Sequence, residues 1–292
     1  MKLNVISLFR DSEGYLQSTF SNLEALERHH DVHYFFYEND SVDDTASLVR
    51  AWMRERRGVV LSETLHTRKY AQTTEPQRTL AMASYRNTIL AEAIRVGSDW
   101  TLLLDSDVDF PESLVEQYLS WDDPRVVMYT PRIELDRACR MCDPACRRPA
   151  YYDTFALRDR SDRRGVILAC NPFWDDEDRR AWERGTPVEV HCAFGGAALV
   201  RSDVLAQCKW GSDGDCEHVA FAQQVRTMGA ILVMPTVRAS TRAGEDVTRP
   251  ETFEMQRRLL ENPLLLRFWT ERNRGVIPSA ERTVQAGFRR GS

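Results

Sequence analysis

The chain has 292 residues, 42 % of them hydrophobic and 28 % charged, enough to bury a core of its own and typical of a globular protein. Its net charge of −5 provides no overall positive field for nucleic acid or an anionic membrane, and no stretch reaches the ~20 apolar residues that span a bilayer. Seven cysteines, an odd number behind a short and quickly charged N-terminus, argue against a disulfide framework and for a cytoplasmic location.

In chain order, Leu3 to Phe9 predicts a strand, and Leu16, Phe20, Leu23 and Leu26 recur at helical spacing after it. Val32 to Tyr37 predicts a second strand that breaks at Glu38-Asn39-Asp40-Ser41-Val42-Asp43-Asp44-Thr45, before a helix with Leu48, Val49 and Trp52. Gly58 to Leu61 predicts a third strand, and residues 62–79 a long polar loop. A helix is expected from about Leu80 to Val96, stopped by Gly97 and carrying Arg86 and Asn87. Thr101 to Leu104 then forms a buried strand that ends in Asp105, Asp107 and Asp109. Strands and helices alternate throughout, which predicts an α/β domain with a mainly parallel central sheet and helices on both faces. Ligands bind beyond the carboxyl ends of such strands. Phe9-Arg10, Glu38 to Asp44 and Asp105 to Asp109 should therefore converge on one crevice.

The second half is less regular. Strands are expected at Val126 to Thr130, Val188 to Cys192, Ala197 to Val200 and Ile231 to Met234. An amphipathic helix with Val219, Phe221, Ala222 and Val225 inward should stop at Gly229. Gly195-Gly196 indicates close approach of the backbone to another chain segment or a ligand. From Pro250 onward, one or two helices using Leu259, Leu260, Leu264 to Leu266 and Trp269 are expected, followed by a loosely held tail after Val276.

Carboxylates at the end of a buried strand need a cation. Asp105 and Asp107 leave the strand on the same side and give two hard oxygen ligands, which suits Mg²⁺ or Mn²⁺ with waters and a substrate phosphate. Cys139, Cys142 and Cys146 have spacing that can supply three ligands to a structural Zn²⁺, with Cys170, His191 or Cys192 as the fourth; reduced thiols are the alternative.

The run Glu38-Asn39-Asp40-Ser41-x-Asp43-x-Thr45, Arg86-Asn87 one helix before Asp105-Ser106-Asp107, the Gly195-Gly196 strand and the Glu217-His218 helix together resemble GT-A (Rossmann-like) glycosyltransferases. The stretch Tyr152-Asp153-Thr154-Phe155-Ala156-Leu157-Arg158-Asp159 is similar to one in the fungal capsule-associated α-1,3-mannosyltransferase family, over about residues 1–240. The resemblance implies a GT-A domain over residues 1–245, with a nucleotide-binding half at 1–125 and an acceptor-side half at 126–245. Residues 246–292 would be a C-terminal helical extension and tail. It also implies a nucleotide-sugar donor, GDP-mannose or a UDP-sugar, and a hydroxyl acceptor such as a glycan or a hydroxylated DNA base.

In that scheme Phe9, Arg10, Glu38 and Asp40 receive the nucleoside, although Asp40 or Ser41 would serve equally as a helix N-cap. Arg86, Asp105 and Ser106 face the diphosphate, and Asp105 and Asp107 hold the metal. Glu217, His218 and Asp153 are the catalytic candidates, with His218 alternatively a third metal ligand. Arg158, Asp159, Gly195 and Gly196 would line the sugar or acceptor pocket, or Arg158 and Asp159 would form structural ion pairs. A nucleotidyltransferase of similar fold and a non-catalytic nucleotide-sugar-binding protein are the rival readings.

Overall fold

A computed structural model describes residues 1–70, 74–141, 146–212, 215–241, 258–262 and 264–265. In its first half β1 (Lys2–Phe9), α1 (Glu13–Glu27), β2 (Asp31–Asn39), α2 (Thr45–Met53) and β3 (Gly58–Glu63) alternate, and α3 (Pro76–Val96) carries the chain back to β4 (Trp100–Asp105). β1 pairs in parallel with both β2 and β4, and β2 with β3, so the strand order is β3-β2-β1-β4. The direction of winding reverses between β1 and β4, which opens a crevice at their carboxyl ends. Leu3, Val5, Ile6 and Leu102 to Leu104 are all buried, as continuous apolar runs in a sheet covered on both faces should be. α1 and α2 pack together, with Phe20 stacked on Trp52 at 4.6 Å, while α3 packs on β1 and β2.

The second half comprises β5 (Val108–Asp109), α4 (Leu114–Leu119), β6 (Val126–Ala138), β7 (Pro149–Tyr151), α5 (Asp176–Glu183), β8 (Val188–Val190), β9 (Ala197–Arg201), α6 (Ser202–Leu205), α7 (Glu217–Val225) and β10 (Ala230–Thr241). β9 lies antiparallel between β4 and β6, and β10 runs parallel to β6. The whole sheet is ordered β3-β2-β1-β4-β9-β6-β10-β5, with β7 paired to β6 and β8 to β10. It is a mixed sheet, parallel over its longest pairings, and strands from before and after residue 125 share it.

Several boundaries differ from expectation for identifiable reasons. α3 begins at Pro76 rather than near Leu80, because proline costs nothing in a first turn whose N–H groups have no helical partner. β6 continues past Pro131 and β10 past Pro235, and the register between them shifts at Met234/Arg238, where a bulge absorbs the interruption. α5 buries only Asp178 and Trp182 and so shows no apolar stripe; its Asp175 cap accepts from the N–H groups of Glu177 and Asp178. Of the C-terminal segment, residues 258–261 and 264–265 are helical, and Leu259 docks against Val166, Ala169 and Trp174 while Leu264 and Leu265 stay exposed. Leu266, Trp269 and the tail after Val276 lie outside the described residues. No described helix is long and apolar enough to cross a membrane.

Candidate active site

Asp105 closes β4, and its position is set by the glycine pair beside it. The Asp105 N–H donates to the Gly196 carbonyl at 2.8 Å. Gly195 and Gly196 have φ of +62° and +65°, and a Cβ on Gly196 would sit 2.5 Å from Val108 Cγ2. Both the backbone conformation and the space therefore demand glycine there. The turn after Asp105 is tied to α1: the Ser106 hydroxyl meets that of Ser12 at 3.1 Å, and the Ser106 carbonyl accepts from Thr19 Oγ1 at 2.7 Å. Asp109 faces α1, accepting from the Ser18 hydroxyl and from Asn22 Nδ2 at 3.4 Å.

Arg86, buried on α3, links three elements. Its Nη2 donates to Asp105 Oδ1 at 3.1 Å, and its Nε lies 3.5 Å from Glu217 Oε1 at the start of α7. Burial alone would lower the guanidinium pKa, but Asp105 and Glu217 more than reverse this and raise it. Phe194 lies under Arg86, with 5.0 Å from guanidinium carbon to ring centroid, and His218 stacks on Phe194 at 3.9 Å. Trp210 Nε1–H donates to His218 Nδ1 at 3.3 Å. Burial, together with Arg86 and Arg78, holds His218 well below its usual pKa. The imidazole is therefore neutral with its proton on Nε2.

Asp153 comes from the loop after β7. Its carboxylate accepts from the N–H groups of Gly195 at 2.7 Å, Ala156 at 3.2 Å and Phe194 at 3.3 Å. Burial, reinforced by Asp105, nevertheless pushes it up to about 6. Asp107 is likewise pushed up to about 6 by burial and by Asp105, although it accepts from Thr241 Oγ1 at 3.1 Å. Tyr152 is raised by burial first, then by Asp107 and Asp153. Asp105, Asp107, Asp153, Arg86 and Glu217 thus form one cluster at the carboxyl end of β4.

Other expected site residues sit differently. Phe9 is 1 % exposed and packs edge-on to Phe36 at 5.0 Å, so it offers no ring to a base. Arg10 donates to Thr67, through Oγ1 at 3.1 Å and the carbonyl at 2.8 Å. Asp40, at φ +54°, caps no helix; it accepts from the N–H groups of Leu65, His66 and Thr67 at 2.7, 2.8 and 2.9 Å. Those donors and the Thr67 hydroxyl outweigh its desolvation and hold its carboxyl far below the usual range. Glu38 is buried and accepts from the Ser41 N–H at 3.1 Å and from the Ser62 hydroxyl.

Arg158, 1 % exposed, donates to the carbonyls of Phe155 and Leu157 and pairs with Asp215 at 2.6 Å. Asp159 holds its own loop through Arg163 at 2.7 Å and the N–H of Ser161 at 2.8 Å. Both are buried structural ion pairs rather than pocket walls. Arg78, Phe194 and Trp210 escaped the sequence reading. Arg78 lies in the first turn of α3, a stretch expected to be loop, and Phe194 precedes the glycine pair without any periodic signal.

The donor set at Asp105 and Asp107 fits a hard divalent cation. Two neighbouring half-buried carboxylates, with Asp107 raised by burial and then by Asp105, are stabilised in their charged form by a cation between them. Among the described residues no third His, Cys, Asp or Glu closes on the pair.

The family model described as Cryptococcal mannosyltransferase 1 matches residues 9–233. No curated protein sequence matches the chain significantly. Among solved structures, the mannosyltransferase PcManGT from Pyrobaculum calidifontis, in complex with GDP-Man and Mn²⁺, is 14 % identical with a TM-score of 0.52, over 99 % of this chain and 76 % of that one. S. aureus TarS 1–349 is 15 % identical (TM-score 0.48) over 89 % of this chain and 64 % of its own length. Glucosyl-3-phosphoglycerate synthase from Mycobacterium tuberculosis, with Mn²⁺, UDP and glucosyl-3-phosphoglycerate, is 15 % identical (TM-score 0.47) over 95 % and 81 %. The chain spans 64 % of the TarS structure. The match to PcManGT shows the GT-A nucleotide-sugar transferase fold that the motifs predict.

Proposed function

The chain belongs to the cryptococcal mannosyltransferase 1 family, and from that premise we propose that it moves a hexose, mannose from GDP-mannose by preference, onto a hydroxyl acceptor with the help of a divalent metal. The observation that carries this reading is the carboxylate cluster at the β1/β4 reversal, where the Arg86 guanidinium joins Asp105 to Glu217 and Asp107 is left to be compensated.

Asp105 and Asp107 would hold Mn²⁺ or Mg²⁺, which when bound neutralises the leaving diphosphate as a Lewis acid. Arg86 is too buried to reach substrate; it is a positioning residue that fixes Asp105 and Glu217. Arg78, half-buried, is a second guanidinium that acts electrostatically on Asp107 and His218. Glu217 and His218 are 3 % and 4 % exposed, whereas Asp153 is half-buried. Asp153 is therefore our candidate to take the acceptor hydroxyl proton, and its three backbone donors would orient it for that task. Asp40 shapes the nucleoside side by fixing residues 65–67 rather than by contact with the base.

A thermal-shift comparison of GDP, UDP and their sugars, with and without Mn²⁺, tests this. GDP-mannose should give the largest Mn²⁺-dependent shift. Replacing Asp105 and Asp107 together by Asn should remove that shift and lower turnover by about 10²–10³-fold or more. Undiminished turnover in the double variant would sink the mechanism, and no shift with any nucleotide would favour a non-catalytic binding protein.

A further inference from the structure

Among the described residues, one group of three metal-ligating side chains comes together, and it shares no residue with the carboxylate cluster. The sulfurs of Cys139, Cys146 and Cys170 all lie within 4.8 Å of one another, and Cys146 and Cys170 are 3.9 Å apart. None of the six described cysteines forms a disulfide. Zinc–sulfur bonds of about 2.3 Å at tetrahedral angles separate two ligand sulfurs by about 3.8 Å. We infer that Cys139, Cys146 and Cys170 supply three of the four ligands of one structural Zn²⁺ that ties the β6–β7 hairpin to the segment before α5.

The backbone brings the three together before any metal arrives. Cys139 follows β6 directly, and its N–H donates to the Arg148 carbonyl at 2.8 Å, which sets it across from the segment that leads from Cys146 into β7. The next residue, Arg140, donates its N–H to the Leu168 carbonyl at 2.9 Å, and Tyr151 donates to that of Ala169 at 2.8 Å. These bonds deliver Cys170 to the hairpin, and Trp182 Nε1–H fixes the Cys170 carbonyl at 3.0 Å. Such outer bonds orient ligands in structural metal sites.

The electrostatics suit thiolates. The Arg148 guanidinium, held by Glu183 at 2.5 Å, also donates to Cys146 and feels Cys170. Three thiolates around Zn²⁺ leave one net negative charge, which that guanidinium offsets. Soft sulfur ligands select zinc over the Mg²⁺ or Mn²⁺ expected at Asp105 and Asp107. Cys192 is buried beside Arg158 and Asp153, and His191 pairs with Asp162 at 2.6 Å, so neither expected alternative joins the group. Cys142 lies outside the described residues and is no part of the assigned triad. The segment so tied leads directly through Tyr151 and Tyr152 to Asp153.

The full chain, purified under reducing conditions with zinc supplied, should retain one Zn²⁺ per chain after dialysis, read by atomic emission. Substituting Co²⁺ should produce the near-ultraviolet sulfur-to-cobalt absorption that carboxylate ligands cannot give. Cys146→Ser, at the most exposed of the three positions, should lose the metal and the absorption while keeping its far-ultraviolet circular dichroism. Cys208→Ser and Asp105→Asn/Asp107→Asn should keep both. A reduced wild-type protein without the cobalt absorption would overturn the assignment, whatever the variants do. So would zinc retained in Cys146→Ser, or zinc lost on replacing Asp105 and Asp107.

Discussion

At the carboxyl end of β2, Asp40 and Glu38 are surrounded by donors from their own chain, and Asp40 is held far below its usual pKa. At the carboxyl end of β4, Asp107 and Asp153 are pushed the other way, to about 6, by burial and by Asp105. Both groups are acidic residues at strand ends in one crevice, and residue type alone does not separate them. A carboxylate saturated by donors and away from other carboxylates is at rest and holds a loop, whereas one crowded by another carboxylate, as Asp107 and Asp153 are by Asp105, is left to be compensated by something from outside. On this contrast the proposed reaction centre is the β4 end, with the β2 end as its scaffold.

The largest test removes the cation that binds the second group together. Arg86→Leu leaves Glu217 buried without its partner and should cost about 3–5 kcal/mol in chemical denaturation. A loss below that of an ordinary surface change would mean that Glu217 is not held by Arg86. Gly196→Ala, which forces a methyl group toward Val108 at a positive φ, should cost about 1–3 kcal/mol and lower Mn²⁺ affinity through displacement of Asp105. Full Mn²⁺ affinity with only lowered stability would separate the glycine pair from the metal site.

Asp40→Asn should cost about 1–3 kcal/mol by stranding donors at residues 65–67, with turnover number retained and only the donor KM raised. A collapse of turnover in this variant would erase the distinction between the two clusters. The smallest effect is in pH dependence. Asp107 and Asp153 have an ordinary value of 3.8 and a folded value of about 6, so between these the folded chain binds more protons than the unfolded one. Metal-free stability should therefore decline as pH rises through about 6. The melting temperature of Asp107→Asn should fall less steeply over that window than that of the wild type, and an unchanged slope would contradict the raised pKa.

Much of this protein was legible along the chain because the signals were local. Apolar runs breaking into acidic residues marked β2 and β4, helical spacing marked α1 and α7, and an adjacent glycine pair marked a place of close approach. The carboxylate pair at Asp105 and Asp107 was equally visible, since two residues leaving one strand need no partner to define their direction. Strand ends after prolines and the charge-rich α5 were not, because there local preference is overruled by pairing or carries no period.

The sequence by itself determined the alternation of elements, the family and the position of the central aspartates. Only the tertiary structure decided which acidic residues are satisfied and which are not. It joined Asp153 to Gly195, Arg86 to Glu217, and Cys170 to Cys139 and Cys146, and it tied Asp40 to the loop at residues 65–67. The reason is physical: a side chain's type fixes its charge and reach, but its donors, its neighbours and its depth come from chain segments far away in sequence.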